Sequence, residues 1–247
     1  MQQQNLEEAI FKNSTIDPDY FVIDDVLNDN ACFYRAISNG IYFGTSDRSE
    51  RTMLTMKNWG NTKKIDIVQN DFGQYSGKQD VLARFIQNEI LEFVSKNPDI
   101  EVPYLGNMSL SNAINFVHDI SWEEYLMYYS NFAGDIDEEQ LEQEGYYIDR
   151  WGSTLEQWIV SEMLKIPIVI FNSQIWNKRS QRINNGKIIK GKPQKNVRLR
   201  LTSVMGKKYF DKLPIYLIWK EYNGEGHYLI CYPKEPEKVL NIIKNMI

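Results

Sequence analysis

The chain is 247 residues long with 43% hydrophobic, 13% aromatic and 25% charged residues, a globular composition that excludes collagen-like, low-complexity and wholly disordered classes. Its formal net charge of −5 argues against a chain devoted throughout to nucleic acid, and no run approaches the roughly 18 consecutive apolar residues of a membrane span. The two cysteines, Cys32 and Cys231, have no Cys-x-x-Cys or Cys/His metal spacing, so neither a disulfide framework nor a zinc site is expected.

The first thirteen residues, MQQQNLEEAIFKN, lack the basic and apolar regions of a secretory signal, and a cytosolic or nuclear setting is the expectation. Residues 1–18 are polar and end in the turn signal Asp17-Pro18, which predicts a loosely held arm. Tyr20 to Val26 predicts a short strand leading into the loop Leu27 to Ala31. From there Cys32, Ala36, Ile37 and Ile41 recur at helical spacing, with Gly44 as a stop, so Cys32 falls in a helix's first turn. The polar stretch from Asp47 to Gly77 predicts irregular structure, and Lys78 to Lys96 an amphipathic helix. Ser121 and Ser153 each open a Ser-x-x-Glu pattern, the signature of a capping box, so two further helices are expected. Ile166-Pro167 leads into the strand-like IVIF, and the basic stretch carries the turn residues Asn184-Asn185-Gly186 and then Lys190 to Pro193, the latter between Ile188-Ile189 and Val197 to Leu201, which suggests a hairpin. Ile215 to Lys220 and His227 to Tyr232 read as strands, and Pro236 to Ile247 as a C-terminal helix. The domain reading is an arm over 1–18, one domain over 19–233 and a helix within 234–247.

Charge is unevenly spread. Six acids and no base lie between Gly134 and Gly145, whereas Lys178 to Lys212 holds twelve Lys and Arg residues against the single acid Asp211. Each run reads first as a solvated face and second as a partner surface. Trp176, Tyr209 and Phe210 could stack on bases beside the basic run, but an exposed basic hairpin explains it without nucleic acid, which is not expected as a partner.

The segment DNACFYRAI, Asp29 to Ile37, raises the question of chemistry. A thiol attacks only as thiolate, and a helix N-terminus or a neighbouring imidazole favours that form. Asp29, Asn30 and Ala31 form a tight polar loop whose backbone N–H groups, with that of Cys32, could hold an oxyanion. Two histidines are available as a base. His227 follows Gly224-Glu225-Gly226 at a strand's mouth and is the stronger candidate; His118, in NFVHDI, has no such setting.

Three blocks in this order resemble the ovarian tumour (OTU) family of papain-like cysteine proteases, which cleave ubiquitin chains. Asp29, Cys32, Tyr34, Arg35 and Ala36 match the family's cysteine motif, with Asn30 at the usual glycine and Ala31 at the usual amide or acid. Tyr146 to Phe171 is similar to its Trp-Gly, glutamate-bearing helix and Pro-Ile-Val strand, and GHYLICYP to its Gly-His-Tyr strand. The resemblance spans roughly Tyr20 to Pro233.

It implies an α+β, papain-like OTU fold, with a central, mostly antiparallel sheet packed between helical regions. It makes Cys32 the nucleophile and His227 the general base, with Asp29 ordering the oxyanion loop. The family's imidazole-holding Asn or Asp falls here on Leu229, which cannot accept a hydrogen bond. A minority of the family draw this group from upstream of the cysteine, and the candidates are Asp17, Asp19, Asp24 and Asp25. Asp24 and Asp25 alternate faces of their strand, so at most one should point inward. Asn223, a backbone carbonyl or a water are the alternatives. The implied activity is deubiquitination without metal or organic cofactor, with ubiquitin, polyubiquitin or a ubiquitin-like modifier as partner, no membrane, and a eukaryotic cytoplasm or nucleus, its own or a host's, as setting. The acidic run would suit ubiquitin's arginine-bearing tail, and Trp151 could shape the channel or belong to the core. The rival reading is a ubiquitin-binding module of the same fold with decayed catalysis.

Overall fold

A computed structural model of the protein describes residues 14–26, 31–43, 77–130, 152–178, 181–184, 187–190, 194–222 and 225–247. In chain order these form β1 (Thr15–Ile16), β2 (Phe21–Asp24), α1 (Cys32–Phe43), α2 (Gly77–Lys96), β3 (Glu101–Val102), β4 (Met108–Ser109), α3 (Leu110–His118), α4 (Trp122–Tyr129) and α5 (Thr154–Leu164). There follow β5 (Ile168–Lys178), β6 (Gln181–Asn184), β7 (Lys187–Lys190), β8 (Gln194–Met205), β9 (Ile215–Tyr222), β10 (Glu225–Pro233) and α6 (Pro236–Lys244).

Six strands form one sheet in the order β1-β8-β5-β9-β10-β2. Every neighbouring pair is antiparallel except β5 and β9, where Ile168 to Asn172 run alongside Ile215 to Trp219. Period-two alternation in β9 feeds two cores: Ile215 and Leu217 join the helices α1 to α5, while Tyr216 and Ile218 join Val239 and Ile243 of α6. The fold is therefore α+β, with a mostly antiparallel sheet between a thick helical layer and one C-terminal helix.

Local signals account for most elements. Ser121 and Glu124 form the expected reciprocal capping box at α4. Ser153 also caps its helix, accepting from the Leu155 N–H at 3.1 Å, but Glu156 turns inward instead of completing a box. Two readings need correction. The arm over 1–18 is not loose at its end, because Thr15 and Ile16 are buried and pair with Arg200 and Leu199 of β8. The hairpin pairs differently from the expectation: Ile188 and Ile189 pair with Ile183 and Arg182, whereas Val197 to Leu201 pair with β5. Only Leu199 and Arg200 of β8 meet β1, and β5 meets β9 only to Asn172, so beyond those points β5 and β8 form a two-stranded ribbon that outreaches its neighbours among the described residues and carries Lys178, Lys195 and Arg198 of the basic run. Helix α3 has no counterpart among the expectations, although Ser109 caps it and Leu110, Ala113 and Ile114 recur at helical spacing. Of the stretch expected to be irregular, Asp47 to Gly77, only Gly77 is described, and it opens α2.

His118 ends α3, and it is a core residue. Its Nε2–H donates to Glu156 Oε1 at 2.9 Å, and the two side chains are 2% and 0% exposed. Tyr125 and Tyr129 of α4 donate to the same oxygen at 3.1 and 3.5 Å, and the Ser153 hydroxyl donates to Glu156 Oε2. Burial pushes the Glu156 carboxyl up, but the His118 charge and these hydrogen bonds outweigh it and hold the group below its ordinary value. Three elements, α3, α4 and α5, are thus tied to one carboxylate. His118→Ala should strand it without its counter-charge and lower the unfolding free energy by about 3–5 kcal/mol, read as a lower urea midpoint at unchanged m-value. Because the folded carboxyl titrates below its unfolded value, its stabilisation is complete above about pH 4.3 and is lost as pH falls through the folded value. Glu156→Gln should accordingly show a shallower acid limb in unfolding free energy against pH than the wild type.

Candidate active site

Cys32 is the first residue of α1, and the helical pattern begins as the Arg35 N–H donates to the Ala31 carbonyl at 2.9 Å. Ala31 to Ile41 are all buried, which seats α1 in the main core. The helix lies along β10 and runs in the same direction. Near its start the Phe33 ring is 5.2 Å from the Tyr228 ring; two turns later a Cβ on Gly40 would come 3.0 Å from the Ile230 side chain. Cys32 and His227 therefore occupy the same end of this helix-strand pair.

The His227 ring is 11% exposed and its Nε2–H donates to Asp25 Oδ1 at 2.7 Å. The same carboxylate oxygen accepts the Val26 N–H at 2.9 Å. His227 Nδ1 is buried and has no hydrogen-bond partner among the described residues. Strand register explains why Asp25 is the acid that arrives. Ile230 pairs with Asp24, so the next step along β2 brings Asp25 level with Leu229, on the face that His227 shares by period two. The acceptor absent from position 229 is thus supplied from the adjacent strand. Leu229 itself packs in the apolar cluster under α6.

The other upstream acids do different work. Asp17 accepts from Arg198 Nη1 at 3.2 Å and from the Asp19 N–H at 2.9 Å; Asp19 is exposed, and Asp24 lies near the Tyr232 hydroxyl, whose pKa it helps to raise. Asp29 and Asn30, the acidic run from Gly134 to Gly145, Trp151 and Asn223 lie outside the described residues, so of the oxyanion loop only Ala31 and Cys32 are seen. Cys231 sits in β10 opposite Tyr216 and Ile23, and burial pushes its thiol far above the ordinary range. It is a core residue. Among the described residues no group of three or more His, Cys, Asp or Glu side chains is placed to hold a metal ion, and no helix is long and apolar enough to cross a membrane.

Two residues not singled out in the sequence shape the approach to His227. Trp219 of β9 lies 4.7 Å from the Tyr228 ring and against Gly226, where a Cβ would come 1.7 Å from the indole. Gly152 has φ +74°, a backbone conformation that disfavours L side chains, and a Cβ there would meet the Phe33 ring at 2.2 Å. The glycines were visible in the sequence, but the rings they accommodate are distant in the chain.

No protein-family model matches the chain, and no curated protein matches it. Solved structures to which it is similar include the viral OTU domain protease from Qalyub virus, 15% identical at a TM-score of 0.44, with 89% of each chain covered. The Hazara virus OTU bound to ubiquitin is 14% identical at a TM-score of 0.42, covering 90% of this chain and 87% of that one. An OTU domain in complex with ubiquitin is 14% identical at 0.40, covering 92% and 83%.

The contact between Gly226 and Trp219 makes a direct prediction. Gly226→Ala should cost about 1–3 kcal/mol by overpacking, and most of that loss should vanish in a Trp219→Leu background. Urea unfolding of the four proteins measures the coupling; strict additivity would mean that the indole does not restrict position 226.

Proposed function

We propose that the protein is a cysteine-dependent deubiquitinase that hydrolyses isopeptide bonds through a Cys32 thioester. One observation carries the reading: at the end of β10 nearest the N-terminus of α1, Asp25 holds His227 by Nε2, while Nδ1 is buried and has no hydrogen-bond partner among the described residues. That is the division of labour a thiol-imidazole pair requires, one ring nitrogen oriented by a carboxylate and the other left for the sulfur. The resemblance of the Cys32, Gly152 and His227 blocks to OTU proteases supplies the substrate class.

In this mechanism the Cys32 proton passes to His227 Nδ1, and the developing imidazolium is stabilised by Asp25. The thiolate adds to the carbonyl carbon of ubiquitin's C-terminal glycine. The oxyanion is received by the backbone N–H groups that open α1, where the helix has unpaired donors, with Asp29 ordering the loop that precedes them. Collapse of the intermediate breaks the C–N bond as the imidazolium gives its proton to the departing lysine amine. Water, deprotonated by neutral His227, then attacks the thioester, releasing the ubiquitin carboxylate and the thiolate, which recovers its proton. His227 carries the proton in each covalent step, the product acid loses its own proton to solvent, and no step calls on a metal or organic cofactor. Such a substrate is met in the cytoplasm or nucleus of a eukaryotic cell, the protein's own or a host's.

Cys32→Ala should abolish cleavage of diubiquitin while leaving thermal stability and ubiquitin binding close to wild type, and Cys231→Ala should leave turnover unchanged if it folds. A ubiquitin bearing a C-terminal electrophile should form an adduct with wild type and none with Cys32→Ala; no adduct with the wild type would favour the binding-module reading. Asp25→Ala should lower kcat/KM by as much as about 10⁴, by analogy with loss of a serine-protease aspartate, whereas alanine at Asp17, Asp19 or Asp24 should stay within a few-fold of wild type. Leu229→Asn, which sets an amide level with position 25, should recover part of the activity lost in Asp25→Ala.

A further inference from the structure

The chain neighbours of Cys32 and His227 meet at one buried point away from the reacting atoms. Tyr228, next to His227, donates its hydroxyl proton to the Gly152 carbonyl at 2.7 Å. Gln157 Nε2 donates to the same carbonyl at 3.2 Å and to the Tyr228 oxygen at 2.9 Å, closing a triangle of hydrogen bonds. Tyr228 is 3% and Gln157 7% exposed, so little water competes for these bonds. The Phe33 ring, next to Cys32, covers the triangle, lying against both Gly152 and the Tyr228 ring. The starts of α1 and β10 and the residues before α5 are thereby fastened around a single backbone carbonyl.

This fastening matters because the end of β10 that carries His227 is supported on one side only. Its ladder with β9 runs from Glu225 to Cys231, but its pairing with β2 begins only at Ile230. Among the described residues, Glu225 to Leu229 have no strand partner on the β2 side, and the Asp25 side chain that reaches His227 is 76% exposed. A weakly held strand end must still keep an imidazole in register with a thiol, where a displacement of 1 Å can cost about 10²-fold in rate.

We propose that the Tyr228–Gly152–Gln157 clasp sets the position of His227 relative to Cys32, making Tyr228 and Gln157 positioning residues for the reaction. This rests on the hydrolase reading above, though the clasp has a readout independent of it. By alternation along β10 the Tyr228 side chain lies on the opposite face from His227, so it acts through the backbone and touches no substrate. Removing only its hydroxyl keeps the ring packing against Phe33 and Trp219 and takes away the shorter of the carbonyl's two hydrogen bonds.

The test compares wild type, Tyr228→Phe and Gln157→Leu in the full chain. Turnover is measured on a fluorogenic C-terminal amide of ubiquitin, and the two imidazoles are titrated by NMR. The chain has only two histidines, and His118, held by Glu156, serves as an internal reference for the fold. Tyr228→Phe is expected to lower kcat by between about 10- and 100-fold with KM within twofold, and to shift the His227 titration while the His118 signal stays in place. Gln157→Leu should act in the same direction and provides the same reading if Tyr228→Phe does not fold. Unchanged kcat and an unchanged His227 titration in a folded variant would overturn the clasp, and so would equal displacement of both histidine signals, which marks a general loosening. If wild type has no turnover and yet Tyr228→Phe moves His227 alone, the hydrolase reading falls and the clasp stands; if neither is seen, both fall.

Discussion

Strand β10 is buried on both faces, and most of the molecule is arranged around that constraint. Tyr228, Ile230 and Tyr232 point into the core built with α1, α2 and α5, while Leu229 and Cys231 point into the smaller core under α6. A strand so committed cannot slip by one residue without sending every side chain to the wrong side. Its register with β9 and β2 therefore decides which groups arrive beside His227, and the Asp24 pairing with Ile230 is what delivers Asp25. Helix α1 is seated against the same strand through Phe33 and Gly40, so the position of the Cys32 backbone follows from the same packing.

The two histidines show how environment assigns roles to one side-chain type. His118 and its partner Glu156 are both withdrawn from water, and the carboxylate is satisfied by Ser153, Tyr125 and Tyr129 as well. Such a pair contributes little net stability against an apolar replacement, but either half alone is costly, so it specifies how α3, α4 and α5 fit together. His227 instead stands at the border of the core. One nitrogen is tied to a solvent-facing carboxylate and the other is left without a partner among the described residues. Fully satisfied groups hold a fold, and partly satisfied ones are available for chemistry.

The same helix serves both arrangements. Glu156 and Gln157 are adjacent in α5, so their side chains leave the axis about 100° apart, the first toward α3 and α4 and the second toward Gly152 and Tyr228. The buried ion-pair network and the clasp beside the candidate active site are thus two faces of one rigid element. Ser153 joins them, capping α5 through the Leu155 N–H and donating to Glu156 one residue after the carbonyl that Tyr228 engages.

What the sequence determined by itself was mostly what short-range physics controls. Helical spacing from Cys32, the amphipathic run ending at Lys96, the serine caps at 121 and 153 and the β-branched runs of the last third all appear where their patterns predicted, and the resemblance to the OTU family rests on the three sequence blocks around Cys32, Gly152 and His227. Tertiary structure decided the rest because the deciding partners are far apart in the chain. That Asp25 rather than Asp17, Asp19 or Asp24 meets His227 depends on β2 pairing with β10 across 202 positions. That Ile188 and Ile189 pair with β6 and not with Val197 to Leu201 depends on β8 finding β5, which claims the latter residues. Helix α3 does carry a local signal, with Leu110, Ala113 and Ile114 at helical spacing behind the Ser109 cap, but it is only nine residues long and exposes Phe116 and Val117. Glu156 abandoned the capping box that its sequence announced because a buried histidine offered a charge partner, and an ion pair out of water outweighs one backbone N–H at a helix end.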